Sequence, residues 1–93
     1  MEDKITKEKL GKYFNISEKA LREARKNIIK KKEEEAKEII EMVENYIADA
    51  HHFQTKEDFV NAFAALNYAH GWIDCGVRLE IFDVHDDKLF TVR

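Results

Sequence analysis

Residues 64–79, from Ala64 to Leu79, read AALNYAHGWIDCGVRL. The stretch has the apolar density of a buried helix, yet it holds His70, Asp74, Arg78 and two glycines. On a helical wheel of about 100° per residue, one face of the segment from residue 56 to 81 collects Phe59, Phe63, Leu66, His70, Ile73, Val77 and Ile81. That face is expected to meet the rest of the fold. The far side carries Tyr68, Trp72, Cys75 and Leu79, with Ala64 and Ala65 beside them. A helix that is apolar on both sides is normally buried on both. Two covers suggest themselves: the C-terminal tail, with Phe82, Leu89, Phe90 and Val92, or a second copy of the chain. Gly71 and Gly76 each lose about 1 kcal/mol of helix propensity relative to alanine. Their place inside the helix points to close approach by another backbone.

Working outward, the chain before this helix shows two more apolar stripes. Leu10, Tyr13, Phe14, Ala20, Leu21, Ala24 and Ile28 recur at steps of three and four, predicting a helix over about 3–28. Asp3 or Thr6 is placed to cap it. The stripe holds its phase through Ser17, which favours one helix over a break at Asn15. Ala36, Ile39, Ile40, Val43, Tyr46, Ile47, Ala50 and Phe53 predict a second helix over about 33–53. Between the two lie Lys30 to Lys32 and then Glu33 to Glu35. Cations suit a helix C-terminus and acids an N-terminus, so a turn is expected within 27–33. The alternative is one helix over residues 3–53, roughly 75 Å long at the standard rise, which another chain would have to cover. Thr55 and Asp58 make a partial capping box for a third helix over 56–81. Residues 82–93 carry β-branched and aromatic residues around a polar centre and predict an extended or hairpin-like tail. A lone hairpin is marginal in water, so the tail needs support.

The chain has 93 residues, no proline and three glycines. This suits one small all-α domain, a three-helix bundle with a short C-terminal tail. Its net charge is -3, which offers nucleic acid or an anionic membrane no general attraction. The basic residues Lys19, Arg22, Arg25, Lys26 and Lys30 to Lys32 are interrupted by Glu18 and Glu23 and have no interleaved aromatics, so they read as a solvated face. No apolar run suits a membrane span, and the N-terminus lacks a signal-peptide core. A cytoplasmic protein is expected. Cys75 is the sole cysteine and reads as a small buried residue rather than a reactive one. The pattern of Asp83, His85 and Asp87 lacks the glycine and glutamate of a calcium loop.

Asn67, His70, Asp74 and Arg78 form a polar strip along the third helix. One reading is a structural network, with Asp74 bonding the imidazole or pairing with Arg78. The other is a ligand site, which His51 or His52 of the second helix might complete. A metal needs three or four converging ligands, and only two are well placed, so no metal site is assigned.

Residues 58–84, DFVNAFAALNYAHGWIDCGVRLEIFDV, resemble an archaeal family of small proteins, domain of unknown function 357. Asp49, Ala50 and Phe53 belong to the same likeness, and the Asn67-to-Trp72 core is its most specific part. The resemblance implies a compact three-helix bundle from an archaeon and no assigned activity. It implies that Asp49, Asn61, Asn67, Tyr68, His70, Gly71, Trp72, Asp74, Gly76 and Arg78 are shared. The chain departs from the family at Glu80, where glycine is frequent. The expected function is a non-enzymatic protein-interaction or self-association module, with Tyr68, Trp72, Cys75 and Leu79 as the interface. The alternative is a small-ligand-binding or catalytic accessory domain using Asp49, Asn67, His70, Asp74 and Arg78. No catalytic residue, cofactor or metal is assigned, and the partners are the chain itself or another protein.

Overall fold

A computed structural model describes residues 5–86. Three helices make up the fold: α1 (Lys7–Lys26), α2 (Glu33–Thr55) and α3 (Phe59–Arg78). The chain is an all-α bundle, and among the described residues the only β pairing is one antiparallel bridge between Ile28 and Phe82.

Each helix boundary has a local cause. The Thr6 hydroxyl oxygen accepts from the Lys9 N–H at 3.1 Å and starts α1. Asp3, the other cap candidate, lies outside the described residues. α1 runs unbroken past Ser17, which is buried. It stops at Lys26, and the chain reverses through Lys31, whose φ is 76°. The turn expected between the lysine and glutamate runs is therefore present. α2 opens on Glu33, Glu34 and Glu35, which suit the positive end of the helix dipole.

The start of α3 differs from the sequence expectation. Thr55 is the last residue of α2, and its hydroxyl donates to the His52 carbonyl. Glu57 adopts φ 58°, the Glu57 N–H donates to Gln54 at 3.0 Å and the Asp58 N–H to Phe53 at 2.9 Å. These two bonds form a Schellman motif, which terminates α2 after Thr55 and excludes helix at residues 56–57. Asp58, not Thr55, caps α3: its carboxylate accepts from the Asn61 backbone N–H at 3.3 Å and from the Asn61 amide at 2.7 Å. The same motif closes α3. Glu80 takes φ 60°, with Glu80 N–H donating to Val77 at 3.1 Å and Ile81 N–H to Gly76 at 2.8 Å. Glycine adopts this left-handed conformation without steric cost. Here a glutamate bears the strain.

The core contains residues from all three helices and from the segment after α3. Leu10, Val43 and Ile73 are its largest fully buried side chains, each contributing about 1.5–3 kcal/mol by removal from water. α3 buries Ala62, Ala65, Leu66, Ala69, Ile73, Gly76 and Val77. This stripe is rotated from the expected one. Ala65, placed on the outer side by the wheel, is only 6% exposed, while Phe59, Phe63 and His70 are half-buried. Size explains the rotation. α2 approaches closely at Gly76, where Ile39 Cδ1 would stand 3.2 Å from an added Cβ, and the Phe63 ring turns toward α1. There Tyr13 meets Phe63 edge-on at 4.8 Å.

Over its described part the tail takes the extended form of the two expected, and it leans on the bundle as a lone segment must. Over that part it makes no hairpin with itself, and it does not cover Tyr68 and Trp72. It runs beside the α1–α2 connection: the Ile29 N–H donates to Ile81 at 2.9 Å, and the Asp83 N–H to Asn27 at 2.7 Å. Ile81, Phe82 and Val84 are buried there. Phe82 lies against Gly76, where an added Cβ would stand 2.5 Å from its ring. The expected close approach at Gly76 thus exists, but an aromatic side chain makes it. Gly71 has no such neighbour, with nothing within 4 Å of the place of its Cβ. Leu89, Phe90 and Val92 lie outside the described residues.

Candidate functional site

α3 has a groove on each side. The first lies between α1 and α3 and is lined by Tyr13, Ile16, Ser17, Leu66, Asn67, His70, Gly71 and Asp74, with a volume of about 330 Å³. His70 and Asp74 stand one helical turn apart, with Nε2 3.7 Å from Oδ1. Their side chains are 29% and 25% exposed. The structure therefore brings three strip residues, Asn67, His70 and Asp74, to one groove and adds Tyr13 and Ser17 to its lining. Sequence spacing missed those two, because nothing local links them to the strip; only the docking of α1 does. Arg78 does not line this groove, though it and Asp74 each have a further interaction within the chain. Asp49 is exposed on α2 and does not join.

The histidines of α2 face elsewhere. His51 stacks on Phe14 at 4.3 Å, and its Nε2 lies 3.8 Å from Glu18. His52 is exposed. His85 bonds Asp83 at 2.8 Å on the surface, and Asp87 lies outside the described residues. Among the described residues no three of His, Cys, Asp and Glu converge as metal ligands would.

The second groove lies between α2 and α3 and is larger, about 690 Å³. Trp72 and Ile39 are its apolar parts, and Glu34, Glu35, Glu38 and Glu41 surround them, with Lys37 as a base on the rim. Trp72 is 38% exposed. Tyr68, one turn earlier, is 62% exposed although it stacks on Tyr46 at 5.5 Å. Leu79 is also 62% exposed, and Cys75 lies open to solvent as a free thiol. The expectation of a buried cysteine is thus corrected: position 75 sits on the outward side of α3, away from both neighbouring helices. The four interface candidates share one face that no described residue covers. The wheel located that face, but not its acidic surroundings, which come from the other helix. Seven acids against one lysine in α2 were the available signal.

Fold and grooves define a small three-helix bundle whose last helix is flanked by a polar groove and an acidic aromatic one. The chain belongs to the family described as Protein of unknown function (DUF357), whose model matches residues 12–82. The matched span covers nearly all of the three helices and ends at Phe82, the ring that closes the bundle. Comparison with curated proteins and with solved structures gives no match. No helix among the described residues is long and apolar enough to cross a membrane.

Proposed function

We propose that the chain is a non-enzymatic protein-interaction module that docks its partner on the outer face of α3. One observation carries the reading: Tyr68, Trp72 and Leu79 are exposed together on a helix whose own charged residues are confined to Asp74 and Arg78. Exposed large apolar groups gathered on one face mark interaction surfaces, and tryptophan and tyrosine are the side chains that most often anchor them. The polar groove around His70 supports the second reading, a small-ligand site, because it gathers Asn67, His70 and Asp74 with Tyr13 and Ser17. A cytoplasmic location and an archaeal source belong to the same proposal; a lone exposed thiol accords with a reducing compartment.

Site-specific photocrosslinking in cells tests the docking face. A benzophenone side chain at position 79 is expected to give adducts that disappear in Trp72→Glu, while the same group at Glu23 on α1 gives none. Equal yields from both positions, or adducts that survive Trp72→Glu in a folded chain, would overturn the proposal. An adduct of twice the chain's mass would identify self-association.

A further inference from the structure

We infer that the groove at Trp72 receives a basic amphipathic segment of a different protein, an inference that rests on the interaction reading above. Its apolar side chains meet Trp72, with Ile39 only 6% exposed at the groove floor, and its lysines or arginines meet the neighbouring carboxylates. Glu34, Glu38 and Glu41 follow one another at intervals of four and three along α2, and all are exposed. Among the described residues these three form no ion pair, while Glu35 shares its charge with Lys32 at 4.0 Å. Like charges one helical turn apart repel. A cation laid across the row removes that repulsion. The face of the Trp72 indole attracts the same kind of group. A single ring in an open groove encloses no small cation, whereas a helix or extended segment spans both helices.

Charge also excludes the second copy as occupant. Two-fold pairing, groove on groove, sets the glutamate row against itself. The chain does own a basic surface, with Lys12, Lys19, Arg22 and Lys26 exposed on α1. Yet α1 lines the grooves on the other sides of α2 and α3 and contributes nothing to this one. Its outward face points away from Trp72. Self-docking through these two surfaces would be head to tail, giving a ring or a filament rather than a two-fold dimer.

Trp72 is the only tryptophan, so its emission reports the site directly. The full chain is titrated with three amphipathic helical peptides that share one leucine stripe and carry strongly positive, zero or strongly negative net charge. The basic peptide is expected to shift Trp72 emission to the blue and to lose about tenfold in affinity with Glu38→Gln and Glu41→Gln combined. Raising salt from about 50 to 300 mM weakens it similarly, and Glu23→Gln on α1 leaves it unchanged. Failure of the basic peptide to bind, or equal binding of all three, overturns the charge assignment. Equal binding leaves the docking face itself intact, since crosslinking from position 79 tests that separately. A concentration-dependent dimer in sedimentation that Trp72→Glu dissolves would instead make the second copy the occupant and overturn the inference.

Discussion

Replacing Gly76 by alanine tests how the bundle closes. The new Cβ would stand 2.5 and 2.6 Å from two atoms of the Phe82 ring and 3.2 Å from Ile39 Cδ1. Phe82 is 2% exposed, so the ring has little room to retreat. Relief requires it to leave its seat, forfeiting about 1.5–3 kcal/mol of burial, and alanine returns about 1 kcal/mol of helix propensity. The net expectation is a loss of about 0.5–2 kcal/mol, or a fall in Tm of about 2–16 °C for a domain of this size. Gly71→Ala is the matched control. Nothing lies within 4 Å of its Cβ position, so the same propensity gain should appear as added stability of up to about 1 kcal/mol. Urea denaturation followed by far-ultraviolet circular dichroism measures both. A Phe82→Ala background sharpens the test: with the ring gone, Gly76→Ala should become neutral or stabilising, a coupling of up to about 1.5–3 kcal/mol. Equal behaviour of the two glycine variants, or a cost at Gly76 that persists without the ring, would refute the reasoning.

Three further outcomes are expected. Asp58→Ala should destabilise by about 1 kcal/mol through loss of the α3 cap, and Thr55→Ala by clearly less, both read from urea midpoints; the reverse order would restore Thr55 as the cap. Glu80→Gly should stabilise by about 0.5 kcal/mol, since relief of the left-handed strain exceeds the added freedom of the unfolded chain; thermal melts that show a loss would count against strain at this position. His70→Leu should change stability by about 1 kcal/mol or less, because the pair it breaks is partly solvated; a loss beyond about 3 kcal/mol in urea titrations would mean that Asp74 had been sequestered from water.

Local signals in the sequence determined the helices. Stripes at steps of three and four, the lysine-to-glutamate reversal and the absence of proline fix three helices and the first turn, because each rests on neighbours a turn or less apart. The same spacing put Tyr68, Trp72, Cys75 and Leu79 on one face, and Asn67, His70 and Asp74 on another. Residues that meet only after the helices dock were decided by the tertiary structure. Which way α3 rolls depended on how closely α2 could approach, and alanines allowed the nearest approach, so the stripe with the smallest side chains became the core. Residues 81–84 settle at the bundle end because Gly76 leaves a seat for the Phe82 ring and the α1–α2 connection has backbone groups for the chain to bond. Glutamates from α2 surround Trp72 from α3 for the same reason: packing brings distant residues together, and spacing along one helix carries no record of the other.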